Sequence, residues 1–487
     1  MKSPRTPEQE LRTLGRRAAI GAIGAGTIGA VGLLSTGPAQ AAPASHAVAG
    51  PAPMSVIDVG AYGAVGDGVA DDGPAIQAAI DAANAAGGGV VYLPTGEYRL
   101  TQTGTTDTGS VILKSYVTLR GDGYGSHIFL DPATTNPTGD AYFPLRVGTS
   151  TLAVTDVTVE MIRLTPNNKV INHGSMMGIY ARHNATNNLH SDNVTVRNCT
   201  ITDSQIAVGC SKSDPGNVSD RLKYANRNWR VENCNLDLCG NKMVELCQCH
   251  VGVIRDNEMT RCADGPQVLY YSNYVLIAGN HVTYTTSGIN IAAGSHDIDI
   301  VNNIVEADPS IPVGTITSAL YIRCEPTASN FVESDIRSIG NTYRDIYTTA
   351  KRVFQFGTRS SVISAVYERI TFQNDIFDGN VQFAPLLFQS ITTVKQVMFD
   401  SCRFDAGFAT VSNATSASSE VSIRGCEFNG TSGYTLSASG YVLQNNRIHS
   451  VLSIGSSASA TVAQGNIVTG GITDSGSGSV LANNVTV

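Results

Sequence analysis

A hydrophobic-x-polar-Asn/Cys motif returns at equal intervals along this chain, and fixed-period self-similarity constrains architecture before any single residue does. It reads Val196-Arg197-Asn198-Cys199-Thr200-Ile201, Val231-Glu232-Asn233-Cys234-Asn235-Leu236, Ile254-Arg255-Asp256-Asn257-Glu258-Met259, Ile277-Ala278-Gly279-Asn280-His281-Val282 and Ile300-Val301-Asn302-Asn303-Ile304-Val305. From Cys234 to Asn257, Asn280 and Asn303 the step is 23 residues each time. Helical-pair repeats need about 33 to 47 residues and a 3.6 period, whereas these units are β-branched and carry Asn and Gly at their bends. The pattern predicts an all-β, single-stranded solenoid, a parallel β-helix with coils of about 23 residues. Later copies, among them Phe399 to Phe404, Ile423 to Phe428 and Leu443 to Ile448, carry it almost to Val487.

Coils stacked at roughly 4.8 Å place residues of equal register in ladders along the axis. An Asn ladder bonds to its neighbours and to bend amides, so these asparagines are read as structural. Ten cysteines in an exported chain ordinarily suggest disulfides. Here Cys199 and Cys234 share one ladder position, Cys402 and Cys426 repeat it, and Cys239 and Cys262 share another. Side chains at equal register point the same way, which disfavours the roughly 90° disulfide torsion. Most are therefore read as small buried residues, with Cys239–Cys262 the one pairing kept open. Cys247-Gln248-Cys249-His250 lacks the spacing of a zinc knuckle, so no metal site is assigned.

Residues 1–41 read as a twin-arginine export signal: Arg16-Arg17, a Gly/Ala-rich apolar run from Ala18 to Leu34, and Ala39-Gln40-Ala41. The run is too short and weak to span a bilayer, so no membrane partner is expected. Residues 42–55 form a linker and 56–487 the solenoid domain. The formal charge is −8, and removal of residues 1–41 leaves −11. That excludes nucleic acid as a partner, since no basic stripe meets a phosphate backbone. The expected location is extracellular.

The solenoid opens with Val56-Ile57-Asp58-Val59-Gly60-Ala61-Tyr62-Gly63-Ala64-Val65-Gly66-Asp67-Gly68, then Asp71-Asp72, a helix from Pro74 to Ala83, and Gly87-Gly88-Gly89-Val90-Val91-Tyr92-Leu93-Pro94-Thr95-Gly96-Glu97-Tyr98. An Asp at its start caps the helix, which in turn caps the open end of the first coil. These segments resemble the N-terminus of the pectate-lyase-like superfamily, which implies a right-handed parallel β-helix with an N-terminal capping helix. The resemblance leaves the reaction open, because the superfamily holds hydrolases, lyases, epimerases and adhesins. The polygalacturonase pattern fails here: Ala263-Asp264-Gly265 stands for its first acid, Thr286-Ser287 replaces its Asp pair, no Gly-His-Gly follows, and Tyr321-Ile322-Arg323 only loosely matches its basic motif. Cys239-Gly240-Asn241-Lys242-Met243-Val244-Glu245-Leu246 is similar to a stretch of the inulin fructotransferases that carries a catalytic Glu. That resemblance implies a homotrimer, but its partner Asp falls near Asn233.

Strand alternation places Glu245, Asn290, Tyr321 and Arg323 on one outward face when Ile289 and Ile291 point inward. Arg182 and His183 join them as substrate-binding candidates in a groove suited to an extended polysaccharide. Glycoside cleavage needs two carboxylates, and Glu245 with Asp264 is the candidate pair. A lyase or epimerase needs a base such as Lys242, Arg182, His183 or Arg323, with an arginine or a cation such as calcium neutralising the uronate. No other cofactor is expected. The residues favour a secreted glycoside hydrolase or transglycosidase with Glu245, Asp264 and Lys242 catalytic. A uronate lyase or epimerase, a fructotransferase-like enzyme and a non-catalytic adhesin are the alternatives.

Overall fold

The computed structural model describes residues 55–101, 111–134, 142–168, 176–183, 189–212, 225–308, 318–324, 332–345, 352–358, 364–379, 381–382, 391–405, 408–409, 419–430, 433–436 and 439–487. One compact unit runs from Val56 to Val487. The export signal and most of the linker lie outside the described residues, as do residues 213–224 and 309–317.

A sixteen-stranded sheet runs the length of the unit and is faced by a second set of 26 strands, paired in parallel from coil to coil. In the first sheet Val196, Val231, Ile254, Ile277 and Ile300 stand in register, and all are fully buried. The repeat marks this apolar ladder, and its alternation supplies the continuous core. Further along, Phe372 stacks on Phe399 at 4.5 Å and Phe404 on Phe428 at 4.7 Å between ring centroids, extending the same ladder logic to aromatics.

The bend after each of these strands requires positive φ. Asn198, Asn233, Asp256 and Asn302 adopt φ between 52° and 56° there, with Gly279 at 65°, which explains the Asn/Asp/Gly choice. The residue that follows forms the ladder. Asn257 Nδ2 donates to Asn280 Oδ1, Asn280 to Asn303 and Asn303 to Asn341, each at 2.9 Å, and Asn341 donates to Asp375 Oδ1 at 3.0 Å. The same Oδ1 atoms accept bend amides, such as Asn257 N at 3.1 Å. The 23-residue period is local: the step stretches to 38 residues between Asn303 and Asn341 and contracts to 18 between Asn466 and Asn484. Coil length is set by what bulges outward between strands, whereas the inward rows must stay in register.

Helix α1 (Gly73–Ala85) buries Ile76, Ala79, Ile80 and Ala83 in the core beside Val59, Val91 and Val117. Its predicted cap behaves differently from expectation. Asp72 stands at the N-cap without capping the helix, and its Oδ1 instead accepts Val65 N at 2.7 Å, tying down the preceding loop. All ten cysteines are free thiols and all are buried. Cys239 and Cys262 are in register, but no disulfide joins them.

Candidate functional site

Strands β1 (Met177–His183), β2 (Thr200–Lys212), β3 (Asn235–Cys247), β4 (Glu258–Leu269), β5 (His281–Ala292), β6 (Ser318–Cys324) and β7 (Arg352–Thr358) carry the groove face on successive coils. One outward row reads Tyr180, Gly209, Glu245, Gln267, Asn290, Tyr321 and Gln355 in register. The predicted alternation is therefore correct for Glu245, Asn290 and Tyr321, and Arg323 follows two positions along. Exposure differs along the row: Tyr321 and Arg323 are half-buried, whereas Glu245 is only 6% and Asn290 2% exposed, with Gln267 between them at 1%.

Register shifts in β3 and β4 set up the chemistry. Between Cys239 and Lys242 the strand carries one more residue than β4 carries between Cys262 and Asp264, so Lys242 stands directly opposite Asp264. Such bulges re-aim side chains. Lys242 Nζ lies 3.1 Å from Glu245 Oε2, and the same oxygen accepts from Tyr180 Oη at 3.2 Å. Tyr180 reaches across the intervening coil because that coil offers Gly209. A Cβ there would stand 2.4 Å from the Glu245 carbonyl oxygen and 3.0 Å from the Tyr180 ring. Burial, and then the Glu245 charge, hold the Tyr180 phenol well above its ordinary pKa, so it stays a proton donor.

Asp264 is held from two sides: Ser287 Oγ donates to Oδ1 at 2.5 Å, and Gln267 Nε2 to Oδ2 at 2.6 Å. Its pKa is raised by burial, against the pull of the Ser287 hydrogen bond and of the Arg323 and Lys242 charges. Arg323 lies over the Tyr321 ring at 5.6 Å. The structure thus places Lys242, Glu245, Asp264, Asn290, Tyr321 and Arg323 on the outward face of four successive coils. Arg182 is exposed on the outward face, two positions beyond Tyr180. His183 is a correction: it shares the inward parity of Ile179 and Ala181 and is 1% exposed, so it leaves the substrate-binding set.

Tyr180, Gln267 and Ser287 were missed. Tyr180 and Gln267 have the outward parity of Arg182 and Glu245, a signal available in the sequence, but their partners depend on the coil-to-coil register. Among the described residues no group of three or more His, Cys, Asp or Glu side chains could hold a metal ion.

Residues 56–143 match the family model described as Rhamnogalacturonase A/epimerase, pectate lyase-like. That match is to the N-terminal segment, and the fold as a whole is a parallel β-helix. Residues 151–320 match a second model, described as Periplasmic copper-binding protein (NosD). Mannuronan C5-epimerase AlgE1 of Azotobacter vinelandii is 46% identical over 111 residues, which are 22% of this chain and 8% of that protein. Alginate lyase 7 of the same organism is 37% identical over 142 residues, 29% of this chain and 16% of that one. The matched segments therefore span well under a fifth of these relatives. Among solved structures, the A-module of the Azotobacter vinelandii epimerase AlgE6 aligns over 88% of this chain and 99% of its own, with a TM-score of 0.55 and 16% identity. A mutant tailspike protein of E. coli bacteriophage HK620 aligns over 86% and 78%, with a TM-score of 0.61 and 12% identity. At such identities the likeness is one of fold.

These relatives correct the expected reaction. Preference for a hydrolase over a lyase does not stand, because the curated relatives are epimerases and a lyase. The two-carboxylate signal was ambiguous in chemistry: acids beside a lysine and an arginine serve proton abstraction as readily as glycoside protonation.

Proposed function

We propose that the protein is a polysaccharide-active enzyme that removes the C5 proton of a uronate residue, as a lyase or C5-epimerase. The observation that carries the reading is the meeting of Lys242, Glu245 and Asp264 with a protonated Tyr180 and with Arg323 nearby. The names of the mannuronan epimerases and the alginate lyase support the substrate class. Export, expected from residues 1–41, fits a polymeric substrate.

A proton beside a carboxylate is removed slowly because the carbanion stands next to negative charge. Arg323 and Lys242 supply positive charge to the uronate carboxylate, and a desolvated groove strengthens that interaction. Asp264 is the base, since burial moves its pKa toward working pH and makes it a stronger acceptor than an ordinary carboxylate. Tyr180 is the acid, and Glu245 orients its hydroxyl. Transfer of the phenolic proton to the C4 oxygen expels the leaving sugar and leaves a C4–C5 double bond. Transfer to C5 from the opposite face returns the residue inverted. Neither route needs a co-reactant.

The test is proton NMR of the mature protein with mannuronan in D2O. Deuterium at C5 with inversion supports an epimerase, and a vinylic C4 proton with rising ultraviolet absorbance supports a lyase. New reducing ends with neither signal would sink both.

A further inference from the structure

Two buried carboxamides on this outward face carry oxygen atoms that no group among the described residues satisfies. Gln267 Oε1 and Asn290 Oδ1 are buried without a hydrogen-bond partner. The two residues pair in register on β4 and β5, in the outward row that begins at Tyr180 and Glu245. Gln267 cannot turn its oxygen away, because its Nε2 donates to Asp264 Oδ2 at 2.6 Å. The Asn290 side chain makes no hydrogen bond among the described residues. Two coils further along the row, beyond Tyr321, Gln355 differs, since Ser318 Oγ donates to its Oε1 at 3.1 Å. An unsatisfied buried acceptor costs on the order of a full desolvation penalty, and two adjacent ones on a groove face call for a donor from outside.

We infer that Gln267 and Asn290 form a subsite that reads hydroxyl groups on the sugar residue next to the one undergoing reaction. This rests on the polysaccharide reading of the groove. Adjacent strands lie about 4.8 Å apart, so the two acceptors meet donors from one pyranose ring or from its neighbour. Two acceptors side by side welcome hydroxyl donors and repel an anion. The subsite therefore faces the hydroxyl edge of the sugar, and any carboxylate on that residue points away from it. Specificity arises from pairing buried polar groups that a deoxygenated or reversed ring leaves unpaired.

Asn290→Leu decides the matter, because Asn290 does not touch Asp264, Glu245 or Lys242 through any hydrogen bond. Affinity of wild type and variant is measured by titration calorimetry on oligomannuronate and on a neutral β-glucan oligomer, and thermal unfolding is followed without ligand. The expected result is binding about tenfold weaker to whichever oligomer the wild type binds, together with a higher Tm from removal of an unpaired acceptor. Unchanged affinity overturns the subsite, and so does a lower Tm with affinity intact, which is the signature of a packing role. Wild-type binding of the neutral oligomer alone defeats the uronate reading while Asn290 still reports on the subsite. Binding of neither oligomer by the wild type overturns the subsite itself.

Discussion

Tyr180 Oη donates to Glu245 Oε2 at 3.2 Å from two coils away, over a strand whose only residue at that register is Gly209. The ring passes where a side chain would stand, so the contact depends on the absence of a Cβ. Tyr180→Phe keeps the stacking on Phe143, whose ring centroid lies 6.0 Å away, and removes only the hydroxyl. With a positioned acid worth about 10²–10⁴ in rate, kcat on mannuronan falls at least about 10²-fold with little change in Tm. Gly209→Ala gives a comparable loss and also lowers Tm, because the methyl group meets backbone. A Tyr180→Phe enzyme with wild-type kcat would refute the assignment.

Asp264 makes the pH profile diagnostic. Its raised pKa means that it takes up a proton at a higher pH than an ordinary carboxylate, and a protonated base is inactive. Activity is therefore present above that pKa and lost as pH falls through it, and the acid limb of kcat/KM lies above the ordinary carboxylate range. Ser287→Ala removes the hydrogen bond that opposes the burial effect, so the limb moves to still higher pH. Asp264→Asn abolishes turnover and the limb together. A limb unmoved by Ser287→Ala would place the titrating base elsewhere.

The solenoid was legible because its signals are local and repeated. Val231-Glu232-Asn233-Cys234 and its copies state strand, bend and ladder within a few residues, and the Asn257–Asn280–Asn303 bonds follow from that register. The outward row containing Glu245, Asn290 and Tyr321 followed from alternation alone. The pairing proposed for catalysis did not. Tyr180 and Glu245 are 65 residues apart in sequence, and Lys242 faces Asp264 only because β3 carries an extra residue at Gly240-Asn241. Alternation specifies a face; loop lengths and bulges specify which residues meet across coils.

The ten buried thiols predict a stability indifferent to reductant. Stacked pairs such as Cys199–Cys234 and Cys402–Cys426 lie one above the other as reduced residues, with Cys402 N donating to Cys426 Sγ at 3.4 Å. Thermal unfolding with and without dithiothreitol should give the same Tm. A thiol reagent should modify the native protein negligibly and the guanidinium-unfolded protein fully. A drop in Tm on reduction would mean that a disulfide contributes to the fold.

Asp375 is the position where the asparagine ladder holds an acid. Its Oδ1 accepts from Asn341 N at 2.7 Å and from Asn341 Nδ2 at 3.0 Å, as a ladder Asn would, while Oδ2 is buried without a hydrogen-bond partner among the described residues. A ladder Asn uses its amide to donate to a carbonyl of the preceding coil, as Asn341 does to Ile300 O at 2.8 Å. An ionised Asp cannot, and burial pushes its pKa up to about 7. The folded state thus holds a proton that the unfolded chain releases at ordinary carboxylate pH. Between that pH and about 7 the folded chain binds more protons, so stability declines as pH rises and the contribution is gone above the folded pKa. The loss is on the order of a few kcal/mol. Asp375→Asn restores the donor without a charge, so at pH 8 its Tm should exceed that of wild type, and the difference should shrink as pH falls toward the ordinary carboxylate range. Equal Tm values at pH 8, or a variant less stable there, would show that the carboxylate finds its proton or its partner in another way.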